Sequence, residues 1–497
     1  MKRLDQLTFT RFIAILTVLF FHGGGGVYLQ ALAAVFPFRA ILTSAETSVT
    51  YLYALSGFVM SLAYYRPREK FSISSYWTAR FVRLYPLYII SFLMICYYYL
   101  DSVYRIKPQK ILTNVFALQA WWPPYAQSFN YPSWSITVEF FFYAVFPFFA
   151  WWAYRQSTKK LIWVSLIIWT VSQTLHNALW IGYFPERENF LVYFPPFHLS
   201  SFILGAVGGI WFLREGRERE TNPNVALLVF VGGVILTSVY VVILNSWSVN
   251  APHGVQLMTG LLAPILTVVI AALAVDKTSF SAFLNHPALI ALGEMSYALY
   301  ILHIPVKWIY ERALENSSLV NYRTIFDYTY LPLMIAVGAL AHFYIDPPLR
   351  NGLKKILQRV SAPLLLLDFV IISASVYISF RLRFGSGREY DSYRSAILLT
   401  FWSAFILRTI SSVVFNALNP SILHGSFQQL VRPVLVSISV SSAFIFGIIF
   451  SGYSLGWFDN FPRSVFAIDW ALVFGLSLLT RFIFRYFRAY QPEPLPA

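Results

Sequence analysis

Charge is what this sequence has least of. Of 497 residues, 12% are Asp, Glu, Lys or Arg, while 58% are hydrophobic and 19% aromatic. A soluble globular chain carries about 25% charged residues. A water-soluble fold cannot hide that much apolar surface, whereas in lipid apolar side chains face outward freely. Cysteine is almost absent too. Cys96 is the single one, which excludes an intrachain disulfide framework. It sits in an apolar run and reads as a small core or lipid-facing residue. No His-Glu-x-x-His, no cysteine pair and no P-loop lysine motif occurs, so no metal is expected and nucleotide hydrolysis is disfavoured. The first apolar run, residues 9–21, lacks a small-residue cleavage site and contains Arg11, so it reads as a retained helix and not a signal peptide. Internal repeats and low-complexity tracts are missing as well.

What the sequence does have is long apolar runs. A bilayer core takes about 20 apolar residues per helix. Such runs fall at 9–27, 47–65, 84–101, 134–154, 160–179, 197–213, 224–246, 255–275, 285–307 and 327–346, then at 361–381, 395–417, 430–452 and 465–486. The expected fold is all-α: an integral membrane protein of about 14 transmembrane helices. Residues 1–350 form a ten-helix bundle and 361–490 a C-terminal four-helix unit. The break between them is expected at Asp346-Pro347-Pro348, because proline has no donor and cannot continue a helix.

The net charge is +15, but the basic residues lie in short clusters between apolar runs. Without a soluble basic domain, nucleic acid is excluded as a partner. The clusters fit the excess of Lys and Arg on cytoplasmic loops. With the N-terminus inside, Lys2, Arg3 and the segments 66–83, 155–160, 214–219, 350–359 and 481–488 are cytoplasmic. Roughly 22 Lys and Arg then fall inside and roughly 13 outside, which places both termini in the cytoplasm.

Charges inside apolar helices are costly and mark function by default. Arg11 and His22 lie on the first span, three turns and about 16 Å apart on one face. Each also has a bland reading: Arg11 snorkels to the headgroups, and His22 ends the helix. The run Gly23–Gly26 permits unwinding beside the imidazole. Histidine suits general-base work near neutrality. Arg80 and Arg83 are three apart on one helix face and, with Arg11, form a cationic site able to bind phosphate. The competing reading is ordinary positive-inside anchoring. Glu139, in Pro132-Ser133-Trp134-Ser135-Ile136-Thr137-Val138-Glu139, needs a partner at its depth: His22, an arginine or a water-filled pocket. His303 lies late in the ninth span. The topology brings His22, Glu139 and His303 toward the outer half of the bundle.

These residues resemble the acyltransferase-3 family of membrane acyltransferases. Leu4-Asp5-Gln6-Leu7 followed by Arg11 and His22 is similar to its opening motif. Ser56-Gly57-Phe58, Arg80 and Arg83 with Tyr85-Pro86, the Pro132 to Glu139 motif with Phe142-Tyr143, Ser296-Tyr297 with His303-Ile304-Pro305, and Asp346-Pro347 follow in the family's order. Asp346 stands where glutamate is common. The resemblance covers about residues 1–350. It implies transfer of an acyl group, usually acetyl, from acyl-coenzyme A (acetyl-CoA) to a hydroxyl of a cell-surface polysaccharide or lipid-linked glycan at the bacterial cytoplasmic (inner) membrane. It makes His22 catalytic; by position in the bundle, and not by the resemblance, Glu139 or His303 is expected to hold its tautomer. The resemblance gives Arg11, Arg80 and Arg83 to donor binding or site architecture, and Ser56, Trp134, Ser135 and Tyr297 are motif residues. The soluble hydrolase-like domain of some members is not expected in this chain.

The C-terminal part resembles the four-helix membrane module of polysaccharide-biosynthesis proteins, such as nucleotide-sugar dehydratases and sugar-phosphate transferases. Leu367-Asp368, Arg381-Leu382-Arg383-Phe384, Phe461-Pro462-Arg463-Ser464-Val465 and Ile468-Asp469-Trp470 carry that likeness. It suggests glycan-biosynthesis proteins as partners, and the module's edges leave room for a homo-oligomer. The soluble enzyme that usually follows such a module is not expected here, since the module runs on into Pro492, Pro494 and Pro496. Two other functions fit buried polar groups beside such a module: a flippase for a lipid-linked glycan, and a non-catalytic scaffold.

Overall fold

The computed structural model describes residues 4–35, 41–42, 44–99, 108–183, 187–218, 223–250, 259–317, 319–385, 387–458 and 460–489. Lys2, Arg3, Arg219, residues 255–258 and the terminal prolines lie outside them. Every regular element among the described residues is helical. In chain order these are α1 Gln6–Leu19, α2 Gly26–Val35, α3 Ala45–Tyr64, α4 Ile73–Tyr98, α5 Pro108–Val115, α6 Trp134–Tyr154, α7 Thr158–Tyr183 and α8 Glu188–Tyr193. Then come α9 Leu199–Trp211, α10 Pro223–Asn250, α11 Ala263–Val275, α12 Ser279–Leu284, α13 Pro287–Glu294, α14 Ser296–Glu315, α15 Tyr322–Leu340 and α16 Asp346–Gln358. The rest are α17 Ala362–Phe384, α18 Arg388–Ser392, α19 Arg394–Val414, α20 Phe427–Ser454 and α21 Arg463–Ala489.

The chain is a multi-pass membrane protein. Among the described residues, ten helices are long and apolar enough to cross a bilayer, and the pair α13 and α14, bent by 52° at Met295, raises this to 11. The remaining apolar runs hold α3, α7 and α11; α11 has only 13 residues. Two compact units result, Met1–Asn351 and Gly352–Ala497.

The first unit is organised by close helix crossings. Helices α3 and α9 make its most extensive contact, and glycine is the reason. A Cβ on Gly205 would lie 1.8 Å from the Ala54 carbonyl oxygen, and one on Gly57 would lie 2.1 Å from that of Phe202. Small residues let backbones touch, which is how membrane helices pack without a hydrophobic driving force between them. Gly205→Ala must therefore push two backbones apart. A loss of roughly 1–3 kcal/mol is expected from overpacking, read as an earlier unfolding midpoint in detergent.

Two breaks shape the site. At the end of α1, residues Phe20–Gly24 form a π-turn in which His22 leaves helical geometry (φ −82°, ψ 16°) and Gly23 takes φ +77°. Only glycine adopts that angle without strain, so the glycine run releases the imidazole from the helix. The second break corrects an expectation. Asp346-Pro347-Pro348 does not end the tenth span: the helical path runs through Tyr322–Gln358. A π-turn at Ala341–Ile345 precedes α16, and the Asp346 amide closes on the Ala341 carbonyl. Both prolines thus occupy the first turn of α16, where a missing donor costs nothing.

In the second unit the core is apolar around Val376, Phe380, Ile445 and Val465, yet it also buries charge. Arg408 is 2% exposed and pairs with Asp469, and Arg481, 1% exposed, pairs with Asp368.

Candidate active site

The histidines meet. His22 Nδ1 lies 2.8 Å from His303 Nε2, with the rings stacked at 5.0 Å. His303 Nδ1 lies 2.6 Å from the Tyr300 carbonyl oxygen. A carbonyl only accepts, so His303 carries its proton on Nδ1. In a neutral ring the other nitrogen then accepts. The network therefore assigns His22 Nδ1 as the donor, which leaves His22 Nε2 with a free lone pair. The surroundings fix both rings. Tyr330 donates to the His303 carbonyl at 2.7 Å. Lys307, one turn beyond His303 on α14, donates to the His22 carbonyl at 2.6 Å. Tyr131 packs edge-on against the His22 ring at 5.1 Å. His303 is fully buried among these groups, while His22 remains partly accessible.

The arginines lie at the other end of α1. Arg11, Arg80 and Arg83 line a cavity of about 940 Å³, together with Arg217, Lys277, His342 and Arg350. Asp276 and Glu294 are the acids on its wall, so cations dominate. A polyanion fits this charge and size. Arg80 also has a structural task. It donates to the Tyr64 hydroxyl at 2.8 Å and lies over the Tyr64 and Tyr143 rings. Its Nε is buried without a partner, a donor left for something the protein itself does not supply.

A smaller chamber of about 130 Å³ continues inward from this cavity. Arg11, Arg80, Arg83, Glu294 and Tyr297 border both spaces. Ser56, Ser135, Glu139, Tyr143 and Tyr300 line the inner one. Glu139 accepts from Ser56 at 3.4 Å and from the Tyr143 hydroxyl. Its place beside His22, one of the alternatives the sequence leaves open, belongs to His303. Ser135 and the Tyr300 hydroxyl are 2.7 Å apart, and both reach the Pro132 carbonyl at 3.0 Å. Since Tyr300 also holds His303, the chamber wall and the histidine pair share one residue. Tyr297 donates to the Leu84 carbonyl at 2.5 Å and ties α14 to α4. Trp134 lies apart, against Tyr193 at 5.0 Å and His198 at 5.3 Å.

Sequence reading missed Lys307, Tyr300, Tyr131 and Arg350. The i, i+4 spacing of His303 and Lys307 on one helix face was the available signal for the first. Arg350 pairs with Asp346 one turn away, inside α16, the helix that opens on the two prolines. Among the described residues, no group of three or more His, Cys, Asp or Glu is placed to hold a metal ion.

Comparison with known proteins gives this geometry a context. The chain is 25% identical over 320 residues to "Acyltransferase MdmB" of Streptomyces mycarofaciens, covering 61% of this chain and 79% of the relative. It is 23% identical over 381 residues to "Putative O-acetyltransferase SACOL0978" of Staphylococcus aureus strain COL, covering 73% of this chain and 60% of that protein. With "O-acetyltransferase OatA" of Staphylococcus aureus strain NCTC 8325 it shares 22% identity over 379 residues, 70% of this chain and 59% of the relative. The chain thus spans about three-fifths of the length of these staphylococcal relatives. No solved structure matches. The acyltransferase-3 family, described as an acyltransferase domain, matches residues 4–342, and the chain belongs to that family.

Proposed function

We propose that this protein transfers an acyl group, acetyl as the leading case, from acyl-coenzyme A across the bacterial cytoplasmic membrane to a hydroxyl of a cell-surface or lipid-linked glycan. The observation that carries this reading is the ordered Tyr300–His303–His22 chain at one end of α1, with a cation-lined cavity at the other. The phosphates of the donor bind Arg11, Arg80 and Arg83 on the cytoplasmic side. The pantetheine arm extends through the chamber beside Ser135 and Tyr300, over the about 16 Å that separate Arg11 from His22 along the helix. His22 Nε2 removes the acceptor hydroxyl proton as that oxygen attacks the thioester carbonyl. The carbon–sulfur bond then breaks, and the proton passes to the departing thiolate. His303 Nε2 accepts from His22 Nδ1 throughout and stabilises the imidazolium. An acyl-histidine intermediate is the covalent variant of this scheme.

The topology that suits this chemistry counts α3, α7, α11 and the α13–α14 pair as spans. That gives fourteen in all, with both termini cytoplasmic. The C-terminal unit then serves as a glycan-assembly module that recruits biosynthetic partners or pairs chains, in keeping with its likeness to such modules.

The test is release of free coenzyme A thiol by purified full-length protein given acetyl-coenzyme A and a membrane glycan extract, beside His22→Ala. Acceptor-dependent release in the wild type alone supports the reading. Equal release by His22→Ala overturns the mechanism, and absence of both donor binding and release favours the flippase or scaffold. Arg83→Ala should act on the donor instead. Loss of a charge-assisted hydrogen bond of about 1.5–3 kcal/mol is expected to raise the donor KM roughly 10- to 100-fold. Steady-state kinetics with varied acetyl-coenzyme A checks this.

A further inference from the structure

Another cavity, of about 680 Å³, opens at the His22 end of the first unit. Helix α6 starts one residue past the Tyr131–Ser133 turn beside His22. Helix α7 follows α6 after a three-residue connection, 155–157, and ends at Tyr183. The cavity lies between the segment that precedes α6 and the segment that follows α7. Pro123, Tyr183 and Phe190 form its apolar walls, and Arg187, Glu188 and Asn189 its polar wall. Its volume falls within the about 300–1,000 Å³ of small-molecule sites, which combine apolar walls with a few polar groups.

The backing of this cavity is rigid. Two histidines buried completely, His176 and His198, donate through Nε2 to the carbonyls of Leu191 and Val192, each at 2.9 Å. Two residues before Pro123, Trp121 is set edge-on between Phe141 at 5.2 Å and Phe194 at 5.5 Å. Such bracing lowers the ordering cost of binding. The α8 segment is therefore a preorganised wall, and its exposed side chains, Arg187, Glu188 and Asn189, are presented without a structural task of their own in the core.

We propose that this cleft is a saccharide-binding subsite, where a pyranose of the acceptor docks while a neighbouring hydroxyl reaches His22. A pyranose has an apolar C–H face and a rim of hydroxyls. The Tyr183 and Phe190 rings match the face. Asn189 offers both donor and acceptor, Arg187 donates and Glu188 accepts, which matches the rim. The wall continues from Pro123 along the chain to Tyr131, which packs on His22, so the cleft and the base share one segment. The assignment rests on the acyltransferase reading for its purpose but not for its binding chemistry. A band of aromatics at the lipid headgroups is the alternative occupant of this surface. That alternative explains neither the concavity nor three consecutive polar side chains on one wall.

Saturation-transfer NMR separates these ideas. Full-length protein in nanodiscs is titrated, without donor, with glucose, galactose, N-acetylglucosamine, glucuronic acid and their β-1,4-linked trimers. Binding of at least one saccharide is expected, with Tyr183→Ala and Asn189→Ala each raising its Kd at least tenfold. Acetyl-coenzyme A affinity should stay within twofold in both variants, which also reports that they fold. No saccharide binding in the wild type, or binding that both variants leave unchanged, overturns the assignment. Saccharide binding lost in the variants from a protein that never releases coenzyme A thiol would keep the cleft and sink the acyl transfer.

Discussion

Replacing His22 with alanine is expected to lower acyl transfer by about 10²–10⁴-fold, the usual contribution of a positioned general base. Donor affinity should be unchanged, because the cation-lined cavity lies at the far end of α1. The more informative variants are at His303. Its Nε2 accepts from His22 Nδ1 at 2.8 Å, and its own Nδ1 is committed to the Tyr300 carbonyl. His303 is thus a positioning residue that sets which nitrogen of His22 is free. His303→Ala removes the acceptor and lets His22 take the unproductive tautomer or turn. His303→Gln keeps an acceptor oxygen near the same place. The expected order of kcat is wild type, then His303→Gln, then His303→Ala, with His22→Ala lowest and KM for the donor flat across the series. Equal losses in the two His303 variants would reduce His303 to packing and remove the tautomer argument. Full activity in His303→Ala would remove the pair from the mechanism.

That pair shows how far a linear sequence carries. Both histidines stood out, because titratable groups in apolar helices demand an explanation. Their direct bond did not, since residues 22 and 303 are related only by tertiary packing. Helical spacing gives the face of a residue but not the rotation of one helix against another. Glu139 illustrates the same limit. Its depth marked it as partnered, but Ser56 and Tyr143 are its partners, and the histidine site is served from α14. The arginine cluster was legible for a simpler reason: Arg80 and Arg83 share a face by spacing, and Arg11 lies at the same end of its helix. Arg217, Lys277 and Arg350 join them from loops and from a helix hidden by two prolines. The rule that proline stops helices assumes an α-helical turn ahead of it, and the π-turn at Ala341–Ile345 changes that context. The saccharide cleft had no linear signal, because its walls come from segments more than fifty residues apart.

The charges of the C-terminal unit lead to the other large expected effect. Helix α21 carries Asp469 and, twelve residues on, Arg481. Each finds an opposite charge on a different helix: Arg408 on α19 and Asp368 on α17. The acid and the base on α21 are about 18 Å apart along its axis, so sliding or reversing the helix breaks both pairs together. The two pairs are not equivalent. Arg481 reaches Asp368 through two bonds of 2.9 Å and also donates to the carbonyls of Ala417 and Ser477. Arg408 relies on Asp469 and on long contacts to Ser375 and Ser442, and its Nε has no partner. Asp469→Ala therefore strands a buried guanidinium, at a cost of roughly 3–5 kcal/mol. Asp368→Ala should cost less, since Arg481 retains two carbonyls. Removing both members, as in Arg408→Leu with Asp469→Leu, should recover most of the stability, because an ion pair and a well-packed apolar pair are nearly equal when buried. Hydrogen–deuterium exchange in α19 and α21 of the full-length protein reads the unit directly. Fast exchange in Asp469→Ala and near-normal protection in the double variant are expected. Protection unchanged in the single variant would mean that packing alone holds the helices. Loss in the double variant as deep as in the single one would mean that the charges themselves, and not the stranding of one of them, set the register of α21.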